Sequence, residues 1–170
     1  ERAELAQRIK AMHAAREAEQ VAVQASAAER AAKLWARAHP ATDAHPYLRR
    51  KRVPAIGIRA LRDMLLVPAR DVSGTLHTLQ FISPDGSKRF LTGGRIRGCY
   101  YAMGRPAGTL LLAEGLATGS TLHLATGAAV AICFSCNNLE PVARVLRGKF
   151  PELRLVICAD DDRETPGNPG

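Results

Sequence analysis

The amino-acid sequence predicts an α/β protein in which a parallel sheet flanked by helices is preceded by a small basic antiparallel β subdomain and an N-terminal helix. Three observations predict this class. Residues 1–38 contain no Gly or Pro and are rich in Ala, Glu, Arg and Gln, residues that favour helix. Residues 65–102 alternate short β-prone runs with Gly-containing turns, the pattern of an antiparallel meander. From residue 109 onward, apolar runs of strand length alternate with helical stretches of about a dozen residues, which implies βαβαβ units with right-handed crossovers. The expected divisions are 1–44, a helical connector; 45–108, the basic β subdomain; and 109–170, the parallel-sheet domain.

Taken in order, the first helix carries Leu5, Ile9 and Met12 at i, i+4 and i+7, and the apolar stripe returns at Leu34 and Trp35. Val21 and Val23 fall off that stripe, so either the helix breaks near residues 21–27 or it is one long helix that is only partly packed. It carries no chemistry, and a connector is its expected role. The chain begins in mid-pattern and ends just past a turn, as a fragment of a larger protein would. Pro40, Pro46 and Pro54 then punctuate the sequence, and Tyr47 to Arg52 is expected as a short helix displaying Arg49, Arg50, Lys51 and Arg52.

The meander follows, with strands expected at Leu65–Pro68, Thr75–Ile82, Arg89–Leu91 and Cys99–Ala102 and turns at Ser73-Gly74, Asp85-Gly86 and Gly93-Gly94. Lys88, Arg89, Arg95 and Arg97 can protect strand edges, but four cations between residues 88 and 97 exceed what protection needs. In the last third, "GTLLLAEG" is a strand ending in a carboxylate, and "LATGSTLHLATG" is a helix stopped by Gly127. "AAVAICF" is a buried strand, "NNLEPVARVLRGKF" a helix with Pro141 in its first turn, and "LRLVICADDD" a third strand.

Composition narrows the class of protein. The chain has 170 residues, 46% of them apolar, enough for one ordinary core. No apolar run approaches the roughly 18 to 20 residues that span a bilayer, and the charged start "ERAELAQRIK" is unlike a signal peptide. A soluble, cytoplasmic protein without membrane contact is the expectation. The four cysteines lack the spacing of a disulfide framework and are expected to be reduced. Cys133-x-x-Cys136 is a lone pair without further zinc ligands at suitable spacing. His77 is expected to be structural and His123 a surface or groove residue.

The net charge of +8 is unevenly spread: residues 45–108 hold 12 basic and 3 acidic side chains, a local +9, whereas residues 109–170 hold 5 and 7. Such a division suits a phosphate-binding surface facing a carboxylate site, or else a solvated basic face of no special function.

Parallel sheets place their functional crevice at the carboxyl ends of the strands. Glu114 leaves the first strand there, and Asp160, Asp161 and Asp162 leave the third. Carboxylates crowded at one sheet edge repel unless a cation relieves them, and an all-oxygen set beside phosphate suits Mg²⁺. Asp160 and Asp162, two apart in extended chain, would point the same way, and Glu114 would join them if the first and third strands are neighbours. The aspartates alone fit equally well a solvated turn capping a helix; the matching Glu-Gly favours the cluster.

These residues bring a family into view. "LLLAEGLATGSTLHLATG", followed after a strand and a helix by "LVICADDDR", resembles the Toprim domain shared by bacterial-type primases, topoisomerases and certain nucleases, over residues 109–165. That domain is marked by a strand-ending Glu-Gly and a later Asp-x-Asp. The segment in front resembles the basic N-terminal subdomain of the primase catalytic core. Pro68, Arg70, Asp71 and Gly74 match its turn, Lys88-Arg89-Phe90-Leu91 one strand, and Gly94-Arg95 through Gly98 to Tyr100 another. "ADDDRETPGNPG" is similar to primase-like proteins of plasmids, phages and integrative elements, often joined to helicase or other modules. Topoisomerase domains lack such a basic subdomain.

The resemblance implies that Glu114, Asp160 and Asp162 are catalytic and hold Mg²⁺ or Mn²⁺. It implies that Lys88, Arg89 and Arg95, with Arg70 and Arg97, neutralise template or nucleotide phosphates, in salt-sensitive contacts independent of sequence. Asn137 and Asn138 follow the second strand, where either one orients a phosphate or caps the next helix. The implied partners are a single-stranded DNA template, nucleoside triphosphates and a helicase in the same or another chain. The leading expectation is a DNA primase-type nucleotidyltransferase making short primers. A Toprim-type nuclease and a non-catalytic DNA-binding module are the alternatives, told apart by nucleotide incorporation, by DNA cutting, or by binding alone. Primases usually carry an upstream zinc-binding domain, for which this sequence has no ligand set.

Overall fold

The computed structural model of the chain describes residues 2–159. Helix α1 runs unbroken over Arg2–Arg37, so the weak middle stripe yields one long, partly packed helix. Leu5 stays 60% exposed, while Ala27 and Ala31 are fully buried.

Five strands follow: β1 (His39–Pro40), β2 (Arg59–Leu61), β3 (Met64–Arg70), β4 (Leu76–Ile82) and β5 (Lys88–Phe90), with the short helix α2 (Pro46–Lys51) between the first two. They pair antiparallel in chain order. Pro46 sits at the start of α2, where its fixed φ suits a helix and its missing N–H costs nothing. Trp35 and Leu34 of α1 pack with Leu66 and Leu79 of this sheet. Arg59 stacks 4.6 Å over the Trp35 ring and donates a 2.7 Å hydrogen bond to the Trp35 carbonyl.

The second sheet holds β6 (Tyr101–Met103), β7 (Thr109–Ala113), β8 (Ala129–Ile132) and β9 (Arg154–Cys158) in the order β6-β8-β7-β9. β7 runs parallel to both β8 and β9, linked through α3 (Leu116–Thr126) and α4 (Cys136–Lys149). Gly127 ends α3 in the left-handed conformation, φ 67°, as its place after the apolar run implies. Gly119 lets α3 close on the sheet: a Cβ there would stand 2.7 Å from Ile132 Cγ1.

Three features differ from the sequence expectation. The sheet is mixed, because β6 pairs antiparallel with β8. The Cys99–Ala102 run therefore leaves the meander, with which it pairs through an isolated bridge between Arg70 and Tyr100. Burying Tyr101 and Met103 against Val130 and Ile132 outweighs continued pairing with β5. Pro141 lies inside α4, beyond its first turn, and withholds the donor that would bond the Asn137 carbonyl.

The two sheets share a core. Tyr47 and Leu48 of α2, Leu65 and Val67 of β3 and Ile82 of β4 form one cluster with Met103, Leu111, Ala113, Leu116 and Ile132. On the other face of the second sheet, Leu139, Val142 and Leu146 of α4 cover Leu110, Leu112, Ala129 and Ala131.

Candidate functional site

The sharing of one core brings the tip of the basic meander to the carboxyl ends of β7 and β8. Phe90 of β5 meets Phe134, just after β8, edge to face with ring centroids 5.4 Å apart. Phe134 holds φ 73°, a conformation costly for a bulky side chain; the Phe90 contact helps to hold it there. Glu114 follows β7 directly and is half-buried, with Oε1 shielded from water. Lys88, the first residue of β5, reaches the same place. A Cβ built on Gly115, next to Glu114, would lie 3.6 Å from the Lys88 ammonium.

The register sets the third strand. Ala113 pairs with Cys158, so β7 and β9 are neighbours that end level, and Glu114 stands where β9 also finishes. Asp160 and Asp162 lie outside the described residues. Among the described residues, no group of three His, Cys, Asp or Glu is gathered for a metal ion. Cys133 at the end of β8 is fully buried. Burial, with the Glu114 charge adding to it, pushes its thiol up to about 12, so at neutral pH it is a protonated core residue.

The other cations divide. Arg89 and Arg97 are exposed, and Arg89 lies 5.8 Å over the Phe81 ring. Arg70 and Arg95 gather instead around Asp71, on the β6 side of the second sheet, two strands from β7. Arg70 donates to the Gly74 carbonyl at 2.9 Å, and Arg95 Nη2 lies 3.2 Å from Asp71 Oδ2. Asp71 Oδ1 accepts from the Ser73 hydroxyl and from the Ser73 and Thr75 backbone N–H groups, and His77 Nε2 stands 2.7 Å from Oδ2. Burial pulls this carboxyl upward, but the combined hydrogen bonds from Ser73, His77 and Thr75 outweigh it and hold the group well below the ordinary carboxylate range.

Asn138 is 4% exposed, and its amide is used entirely within the protein. Oδ1 accepts from Gly98 N at 2.8 Å, and Nδ2 donates to the carbonyls of Cys133 (2.8 Å), Cys99 (2.9 Å) and Ile96 (3.2 Å). It fastens the Arg95–Cys99 loop to the turn between β8 and α4. The position that opens α4 is taken by Ser135, not by either asparagine. This clamp was not legible in the sequence, since all its partners are backbone atoms and three of the four, in Ile96, Gly98 and Cys99, lie about forty residues away. The Asp71 turn was closer to legible: Asp-x-Ser-Gly-Thr is a pattern in which a carboxylate accepts from its own turn.

Fold and site thus define a mixed α/β protein in which a basic antiparallel sheet presents a lysine to a carboxylate at the end of a parallel three-strand unit. Two proteins of Escherichia coli, each named DNA primase TraC, resemble it. One is 36% identical over 183 aligned positions, covering 100% of this chain and 17% of that protein. The other is 35% identical over 166 positions, covering 91% of this chain and 12% of that protein. The chain thus spans less than a fifth of the length of these curated relatives, and the similarity supports a primase-type family. No family model matches the chain, and no solved structure matches it. No helix among the described residues is long and apolar enough to cross a membrane.

Proposed function

We propose that this chain is the catalytic-core segment of a primase-type nucleotidyltransferase that makes short primers on single-stranded DNA from nucleoside triphosphates. In this reading β7, α3, β8, α4 and β9 form a Toprim-like unit, and Glu114, Asp160 and Asp162 are its catalytic carboxylates. The observation that carries it is the pairing of Ala113 with Cys158, because it makes the strand that ends in Glu114 the direct neighbour of the strand that leads into the aspartates. The primase-named relatives support the reaction class.

Carboxylate oxygens alone suit a hard divalent cation, so Glu114 with Asp160 and Asp162 would hold Mg²⁺ or Mn²⁺. Such an ion, when bound, neutralises triphosphate charge and makes a 3′-hydroxyl a better nucleophile. The protein's own contribution is positional. Lys88 beside Gly115 offsets the repulsion among the acids and draws phosphate towards them. Arg89 and Arg97 add exposed contacts to the DNA backbone. Arg70, Arg95 and Asn138 act by fixing the Asp71 turn and the loop that bears Arg97.

The test is incorporation of labelled nucleotides on a single-stranded template with Mg²⁺ or Mn²⁺, by this chain and by a full-length relative. Glu114→Gln is expected to lower incorporation by on the order of 100-fold with the fold intact. Undiminished incorporation in Glu114→Gln, or none by either wild-type protein, overturns the reading. Cutting of DNA without added nucleotides replaces it with a nuclease. Titration of Mn²⁺ into wild type and into Asp160→Asn/Asp162→Asn checks the metal separately; binding unchanged in the double variant removes the aspartates from the site.

A further inference from the structure

Outside the site already described, the strongest charged feature of the molecule is helix α2. Its Tyr47 and Leu48 are buried, whereas Arg49, Arg50 and Lys51, with Arg52 at the cap, are all exposed. Cations in a last helical turn complement the helix dipole, and one or two would serve that purpose. Arg52 goes further: it occupies the left-handed cap position, φ 56°, which Gly or Asn fills at less cost. Among the described residues, the side chains of Arg49, Lys51 and Arg52 make no hydrogen bond or ion pair. Arg50 donates to the Pro84 carbonyl at 3.1 Å, fixing α2 to the turn before β5, and a Cβ on Gly86 in that turn would stand 2.8 Å from the Arg50 guanidinium.

The Tyr47 ring joins the two elements. Arg50 lies 6.0 Å from its centroid and Lys88 5.9 Å. Arg50 of α2 and Lys88 of β5 thus share the Tyr47 ring, and Lys88 leads on to the Gly115 corner beside Glu114. We propose that α2 is a docking ridge for the phosphate backbone of single-stranded DNA, leading the strand over Lys88 to the end of β7. The six residues of α2 rise about 9 Å, room for about two successive phosphates of an extended single strand. A single strand can bend from this ridge to the sheet end, whereas a stiff duplex cannot. The inference rests on the primase reading for its direction of travel, but its test does not depend on catalysis.

The experiment measures fluorescence anisotropy of a labelled oligothymidylate of about 20 nucleotides with the 170-residue chain, without metal or nucleotide, from about 50 to 200 mM NaCl. Arg49→Glu/Lys51→Glu is expected to weaken binding at least about tenfold. It should also flatten the slope of log affinity against log salt by about 1.4, the share of two single-strand phosphate contacts. The neutral Arg49→Gln/Lys51→Gln, which adds no repulsion, should give a smaller loss in the same direction. Arg144→Glu/Arg147→Glu on α4 makes the same change in net charge away from the ridge and should alter binding little. The proposal is overturned if wild type fails to bind, if the α2 variants bind as wild type does, if the α4 control loses as much, or if duplex of equal length is bound as tightly and loses as much. No incorporation by the wild-type proteins, with α2-dependent binding retained, removes only the catalytic reading; active enzyme with indifferent α2 variants removes only the ridge.

Discussion

Around Asp71 and around Tyr47 the molecule gathers cations from the same stretch of sequence, yet it uses them differently. At Asp71, Arg70 and Arg95 are turned inward to a carboxylate and a turn carbonyl, and the loop behind them is fastened by Asn138. At Tyr47, Arg50 and Lys88 flank an aromatic ring, while Arg49, Lys51 and Arg52 face solvent. A cation already committed to a carboxylate or a carbonyl contributes to folding, whereas the exposed charges of Arg49, Lys51 and Arg52 are left to solvent or to an anionic ligand. The count of twelve basic residues between 45 and 108 therefore overstates the charge that the fold leaves unengaged.

The contrast can be broken in order of expected effect. Asn138→Ala strands the Gly98 N–H and the Cys133 and Cys99 carbonyls in a buried place and should cost about 3 kcal/mol in urea unfolding. A loss under about 1 kcal/mol would show that the loop is held by something else. Asp71→Asn weakens the turn bonds and the contact with Arg95 and should cost about 2 kcal/mol at neutral pH.

That variant also has a pH signature. The folded Asp71 carboxyl titrates below its ordinary 3.8, so the stability it contributes is present above that value and is lost as pH falls below it. Wild type should weaken faster than Asp71→Asn on acidification from about pH 4 downward, and parallel curves would remove Asp71 as the cause.

Smaller effects separate fold from binding. Arg95→Gln should cost about 1 kcal/mol of stability and change DNA affinity less than twofold or so, while Arg89→Gln should leave the unfolding midpoint unchanged and weaken DNA binding about threefold. The reverse pattern would exchange the roles given to the two regions. Least of all, Leu5→Gln on the exposed part of α1 should alter stability by under about 0.5 kcal/mol.

Much of the architecture was legible from local signals. The Gly- and Pro-free composition marked α1, Gly-containing pairs marked the turns of the meander, and apolar runs broken by helical stretches marked β7, α3, β8, α4 and β9. Glu114 could be placed at a strand end for the same reason. The β1–β2 pairing was not legible, because His39–Pro40 and Arg59–Leu61 are too short to show a period. The departure of Tyr101–Met103 to the second sheet was hidden as well: an alternating run declares itself a strand but not its partner.

What the sequence by itself determined is the kind of each element and the chemistry at its ends: helix, hairpin, crossover unit, a strand ending in Glu-Gly. These follow from dihedral preference, periodicity and turn residues, which act over a few positions. Only the tertiary structure decided that Lys88, and not Arg70 or Arg95, stands beside the Glu114 corner, and that Asn138 holds a loop instead of capping its helix. Those outcomes depend on two sheets burying one set of side chains between them, and on Phe90 finding Phe134. Packing of that kind joins residues far apart in the chain, where local pattern carries no information.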